Sequence, residues 1–277
     1  MQSNKVMKKI VVIGGMKCGT SSLYQMFKEV DEVCLSKFKE PSFFTKRTKN
    51  GINWYKNQFE PTDKTKYLMD VSPSYSKIHL YPTCPKMIHD YDSDTKIIYL
   101  VRDPLDRIIS NIYHDLLRGR LTRNQIQSIL ASDENYIKTS AYMAQIEPYL
   151  ELFGDKNILV LQFEELKSNT TAFNKKIADF LELDFKIDKV KAQNVSENRF
   201  LIKNYDFFHS RFGNSFVSKI YFLYCYFLNK KVQKPQLTED ELSFIYEKLS
   251  CDIDGFIQKF EINESAWKVW SALKNKK

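Results

Sequence analysis

Lys9-Ile10-Val11-Val12-Ile13-Gly14-Gly15-Met16-Lys17-Cys18-Gly19-Thr20-Ser21-Ser22 carries a β-branched apolar run straight into a glycine-rich turn. The residues after the turn read as a helix over 20–29. A strand, a glycine turn and a helix N-terminus make an anion pocket, because backbone N–H groups converge there and the helix dipole favours negative charge. The reading is therefore a phosphate-binding loop, but not the ATP-binding kind. The ATP loop G-x-x-x-x-G-K-[ST] requires Lys directly after its last Gly. Gly14 and Gly19 have that spacing, yet Thr20 stands where the Lys belongs, and the loop's only Lys is Lys17. The bland alternative is an ordinary glycine turn between a strand and a helix.

A second segment has the same plan. Lys96-Ile97-Ile98-Tyr99-Leu100-Val101 reads as a buried parallel strand. It runs into Arg102-Asp103-Pro104-Leu105-Asp106-Arg107-Ile108-Ile109-Ser110. Asp103 suits an N-cap, Pro104 the first helical position and Asp106 the first turn, with Gly119 as the stop. Arg102 then lies at the carboxyl end of a strand, where open α/β sheets bind ligands, and Ser110 follows two turns later. A guanidinium fork there suits a phosphate. The alternative is that Arg102 pairs with Asp103 or Asp106 and only secures the helix start.

Together these segments resemble the sulfotransferases that use 3′-phosphoadenosine 5′-phosphosulfate (PAPS). In that family K-x-G-T-[ST]-[ST], here Lys17-Cys18-Gly19-Thr20-Ser21-Ser22, holds the 5′-phosphosulfate, and R-D-P with a later Ser, here Arg102 and Ser110, holds the 3′-phosphate. Lys39-Glu40-Pro41-Ser42-Phe43-Phe44 resembles the K-E-x-x-F-F segment of the heparan-sulfate-type and bacterial carbohydrate branch. Asp70-Val71-Ser72-Pro73-Ser74-Tyr75 resembles that branch's E-x-S-P-S-Y segment, with Asp for Glu. Tyr142-Met143-Ala144-Gln145-Ile146 and the stretch from Asn157 to Leu166 resemble its later helix and strand. The resemblance covers roughly residues 8 to 182.

It implies an α/β fold, a P-loop-like parallel sheet flanked by helices on both faces. It implies PAPS as donor, 3′,5′-ADP (PAP) as product, no metal requirement, and a carbohydrate hydroxyl or amine as acceptor. Lys17 would steady the leaving oxygen and Glu40 would be the base. The bland reading of Glu40 is a surface pair with Lys39. Pro41 favours an extended backbone at Glu40. Lys39 would meet the transferring sulfonate. Asp70 would meet the acceptor or make only a structural hydrogen bond. His114, one turn beyond Ser110, faces the cleft on this reading. Arg199 and Lys203 are candidates for a basic loop that closes over the nucleotide.

Composition fits one domain spanning 1–277, since no Ser/Gly- or Pro-rich linker and no repeat interrupts the chain. Hydrophobic residues make up 43% of the sequence, enough for a large core. Lys8-Lys9 precedes only a five-residue apolar strand, which is no secretory signal. The longest apolar run, Ile220 to Leu228, is too short to span a bilayer. Five scattered cysteines without C-x-x-C spacing argue against a disulfide framework and zinc, so the expectation is a cytoplasmic enzyme. A helix N-terminus beside Cys18 would favour its thiolate, but the residue reads as a tolerated small side chain of the loop. The net charge of +8 suits an electropositive cleft for a polyanionic nucleotide or an acidic glycan, with Arg118, Arg120 and Arg123 beside it. No helix-turn-helix, zinc-finger or RNP signature supports nucleic-acid binding. A P-loop nucleotide kinase is the rival enzyme, and an inactive nucleotide-binding protein the rival non-enzyme.

The remaining elements are expected at helix 138–152, strand 157–163, helix 170–182 and helices near 238–250 and 252–260, with a mixed segment at 36–75.

Overall fold

The computed structural model describes residues 7–132, 134–185, 211, 220, 221, 223–225 and 232–276. Among them lies a five-stranded parallel sheet in the order β2-β3-β1-β4-β5. The strands are β1 (Lys8–Val12), β2 (Val33–Leu35), β3 (Tyr67–Val71), β4 (Lys96–Val101) and β5 (Ile158–Gln162). The chain leaves β1 toward β2 on one side and enters β4 on the other, so the loops after β1 and β4 flank a topological switch point.

Beyond their opening lysines, Lys8, Lys9 and Lys96, β1 and β4 are apolar because both sheet faces are covered. Alternate side chains enter two cores. Val11, Ile97, Tyr99 and Val101 join one, with α5 (Pro104–Leu117) and α8 (Tyr142–Phe153). Ile10, Val12, Ile98 and Leu100 join the other, with α1 (Thr20–Phe27) and α10 (Thr170–Leu181). Each fully buried aliphatic side chain contributes roughly 1.5–3 kcal/mol of transfer free energy. Helices therefore cover both faces, as expected.

The segment 36–75 contains β3 at its end and two short helices, α2 (Phe43–Lys46) and α3 (Gly51–Lys56). α4 (Cys84–Tyr91) then leads to β4. After α5 come α6 (Ile126–Ser132) and α7 (Asn135–Lys138), and α9 (Phe163–Ser168) joins β5 to α10. The expected pair of C-terminal helices is one helix, α11 (Glu239–Phe260), followed by α12 (Lys268–Lys274). Its middle residue Asp252 does not start a helix of its own chain segment. Its carboxylate accepts from the Met143 and Ala144 N–H groups, 3.0 and 2.8 Å away, and caps α8. Thr238 and Glu241 form a capping box that starts α11.

Asp103 caps two helices at once. Oδ1 accepts from Leu105 and Asp106 N–H at the start of α5, and Oδ2 from Val269 and Trp270 N–H at the start of α12. The C-terminal helices are thereby fastened to the edge of the sheet. Among the described residues no helix is long and apolar enough to cross a membrane.

Candidate active site

The loop after β1 is shaped by close backbone approach. A Cβ at Gly14 would lie 2.7 Å from the Leu100 Cβ, so only glycine lets the loop lie against β4. Gly19 has φ 93°, and a Cβ there would meet the Phe163 ring at 2.4 Å. Lys17 also has a left-handed backbone, φ 76°. That costs a non-glycine residue of order 1–3 kcal/mol and is found where function fixes the conformation. α1 opens without a side-chain cap and without an acidic residue in its first turn. No side chain of its own first turn thus places an anion at the positive end of the helix. Thr20 and Ser22 are nearly buried at this end and Ser21 is half-buried.

Cys18 shapes the loop rather than offering a group to an anion. Its N–H donates to the Gly15 carbonyl at 3.1 Å, and its thiol is fully buried. Burial pushes the thiol up to about 12, against the pull of Arg107 and Arg102. The helix N-terminus does not yield a thiolate here, because desolvation outweighs the nearby cations, in keeping with a small side chain that fills the loop.

Arg102 stands at the end of β4, as the sequence predicts. Its main-chain carbonyl accepts from the Tyr142 hydroxyl at 2.7 Å, and its guanidinium lies 5.2 Å from the Phe163 ring centre. Nη2 donates to Asp106 at 3.1 Å, the local pairing foreseen as the alternative. Lys234 takes the other Asp106 oxygen at 3.0 Å. Arg102 Nε is buried with no hydrogen-bond partner, as is Glu164 Oε2. A buried guanidinium N–H without an acceptor is a donor of the kind that suits an anion.

α5 also carries Ser110, half-buried, and His114. His114 interacts electrostatically with Lys17, which joins this helix to the loop. Its pKa is lowered: a hydrogen bond to Asp115 raises it, but burial together with Lys17 and Arg118 outweighs that bond. Arg107, one turn before Ser110, is fully buried and reaches Tyr136 and Met16 carbonyls at 2.6 and 3.5 Å, tying α5 to the loop. The sequence reading missed Arg107, Phe163 and Lys234. An Arg inside an apolar helix run was the signal for the first.

Glu40 is half-exposed and its carboxylate meets Lys39 Nζ at 2.8 Å, so the expected surface pair is present. Its backbone is not extended. Glu40 has φ 65° and Ser42 φ 51°, a left-handed bend around Pro41 that overrides the usual preference of a residue before proline. Phe43 and Phe44 anchor the segment, Phe43 stacked on Tyr55 and Phe44 edge-to-face with Tyr75.

Asp70 was expected at the acceptor. It is instead 1% exposed, and its oxygens accept from Ser72 (2.6 Å), Tyr75 (2.7 Å) and Tyr55 (3.1 Å) hydroxyls. The structural alternative is the one the geometry supports, because no lone pair is left facing solvent. Burial pushes its carboxyl up to about 6, against the three hydrogen bonds, with nearby Glu40 raising it further. Arg199 and Lys203 lie outside the described residues.

A family described as Sulfotransferase domain matches residues 7–205 of this chain. The mouse protein "Heparan sulfate glucosamine 3-O-sulfotransferase 3B1" is 29% identical over 189 residues, covering 65% of this chain and 47% of that protein. The human protein "Heparan sulfate glucosamine 3-O-sulfotransferase 3A1" is 27% identical over 191 residues, 66% of this chain and 46% of that protein. The chain thus spans about half the length of the curated relatives it matches. A solved sulfotransferase from Alicyclobacillus acidocaldarius superposes with a TM-score of 0.68 at 18% identity, covering 95% of this chain and 99% of that one. At that identity the superposition speaks for the fold.

Proposed function

Because this chain belongs to the Sulfotransferase domain family, we propose that it moves a sulfuryl group from PAPS to a hydroxyl or amine of a carbohydrate acceptor. One arrangement carries the reading: an uncapped helix N-terminus and a guanidinium with a buried unpartnered N–H sit on adjacent strands at the switch point. The first suits a 5′-phosphosulfate and the second a 3′-phosphate, the group that separates this nucleotide from ATP. Bound there, PAPS supplies a sulfuryl group whose bond to the 5′-phosphate breaks as the bond to the acceptor oxygen forms.

The chain's own residues supply the rest. Loop amides with Thr20, Ser21 and Ser22 hold the 5′ side. Arg102 and Ser110 hold the 3′ side. Lys17 neutralises charge that builds on the leaving oxygen. Glu40 accepts the acceptor's proton, and Lys39 beside it meets the sulfonate. Neutralisation by these cations asks for no metal. The names of the similar heparan sulfate enzymes support a glycan acceptor, and the five free cysteines support a reducing, cytoplasmic setting.

The test is thermal unfolding with PAP, ADP and ATP in the absence of Mg²⁺, followed by transfer of radiolabelled sulfur from PAPS to heparan sulfate oligosaccharides. PAP at about 100 times its Kd should add roughly 2.7 kcal/mol of stability. Equal effects of ADP and PAP would refute a 3′-phosphate site.

A further inference from the structure

The bend that carries Glu40 is held from two sides. Outside it, Arg47 Nη1 donates to both the Glu40 and Pro41 carbonyls, at 3.1 and 2.7 Å. The same guanidinium lies 5.9 Å from the Trp54 ring centre, which limits its swing. Inside it, the Ser42 N–H donates to the Ser72 hydroxyl at 2.9 Å, and that hydroxyl donates to Asp70 at 2.6 Å. Ser72 and Asp70 are at most 1% exposed, so the inner clamp does not give way to water. Between the clamps stand two non-glycine residues in left-handed conformation, Glu40 and Ser42, separated by a proline. Such backbone persists only where the surroundings over-determine it. The solvent-facing ion pair between Lys39 and half-exposed Glu40 is too weak to do so.

We propose that Arg47, together with the Asp70–Ser72 pair, is the positioning device that holds Glu40 in its left-handed bend and so fixes where the base carboxylate stands. The inference rests on the reading of Glu40 as the base. Neither Arg47 nor Asp70 touches the reacting atoms. Arg47 grips the base's own peptide carbonyl, and Asp70 orients the hydroxyl that grips the next turn of chain.

The experiment compares R47A, S72A and the double variant S42G/S72A with the wild-type chain. The readouts are PAP affinity, and kcat and KM with PAPS and a heparan sulfate oligosaccharide. A misplaced base should lower kcat about 10- to 100-fold in R47A while PAP affinity stays within about twofold. Glycine adopts the left-handed region freely, so S42G should restore part of the kcat lost in S72A. An R47A variant that raises KM and leaves kcat intact would make Arg47 an acceptor contact and overturn the proposal. So would an S42G/S72A variant no better than S72A. Failure of wild type to bind PAP or to transfer would instead sink the functional reading. In that case a crystal structure of R47A decides the positioning: a negative φ at Glu40 upholds it, and an unchanged left-handed φ overturns it.

Discussion

Arg102 donates to Asp106 across 3.1 Å, one helical turn along the helix that it introduces. Asp106 is shared with Lys234, and the two cations together hold its carboxyl below the usual range even though burial works the other way. The guanidinium is therefore oriented before any ligand arrives, with its face toward Phe163 and its Nε unpartnered. A preset fork loses less rotamer entropy on binding than a free one. Arg102→Ala should weaken PAP binding about 10- to 100-fold, the range for a hydrogen bond to a charged group, and leave ADP binding nearly unchanged. Calorimetry with both nucleotides measures this, and equal losses for the two would move the 3′-phosphate elsewhere.

Lys17 is expected to act on charge that develops during transfer. Lys17→Ala should lower kcat by more than it lowers PAP affinity. Turnover that survives the substitution would remove Lys17 from the reaction. Because residue 17 has a positive φ, Lys17→Gly is a useful companion that keeps the loop's backbone unstrained.

Glu40→Gln keeps the size of the side chain and removes the proposed base. Turnover should fall about 10²–10⁴-fold with PAP affinity retained. Near-normal transfer by this variant would shift the role to His114, which faces Lys17 electrostatically and has a lowered pKa.

Asp70 gives stability a pH dependence of known sign. Burial lifts its carboxyl from 3.8 to about 6, so the folded chain holds a proton that the unfolded chain releases. Its contribution to stability is full below the unfolded value and is lost as pH rises through the folded one. Asp70→Asn should remove that decline between pH about 4 and 6. The measurement is the difference between urea-unfolding curves of the two chains across this window. A difference that does not vary with pH would refute the buried, titrating carboxyl.

Alkylation separates the cysteines. Cys251 is exposed and should react with iodoacetamide in the native chain, whereas buried Cys18, pushed up to about 12, should react only on unfolding. Rapid native labelling of Cys18 would contradict the closed loop.

What the sequence made legible follows from where side chains find their partners. β1 and β4 were readable because strands buried on both faces run apolar without alternation, here from Ile10 and from Ile97 onward. β2 has three residues, too few for a pattern, and β3 carries Asp70 within an otherwise apolar run. That aspartate is satisfied by Tyr55 and Tyr75, which no local spacing pairs with it. Asp252 read as a helix break for the same reason, since the N–H groups it caps lie more than a hundred positions earlier in the chain. Arg102, Gly19 and the N-cap Asp103 were legible because each also has a local role, at the end of β4, before α1 and at the start of α5, whereas their distant partners Phe163, Val269 and Trp270 were not. The left-handed bend at Glu40 was not, because Arg47 and Ser72 impose it against the preference that Pro41 sets locally.

The double cap at Asp103 ties the C-terminal helix α12 to the edge where the nucleotide is proposed to bind. The matched family region stops at residue 205, yet Val269 and Trp270 place their amide protons on the residue that follows Arg102. Reciprocity of coupled equilibria then applies: whatever steadies the Arg102 edge also slows opening of the last helix. On the proposed reading of Arg102, the amides of Val269 and Trp270 are a remote gauge of nucleotide occupancy, readable by hydrogen exchange with no acceptor present.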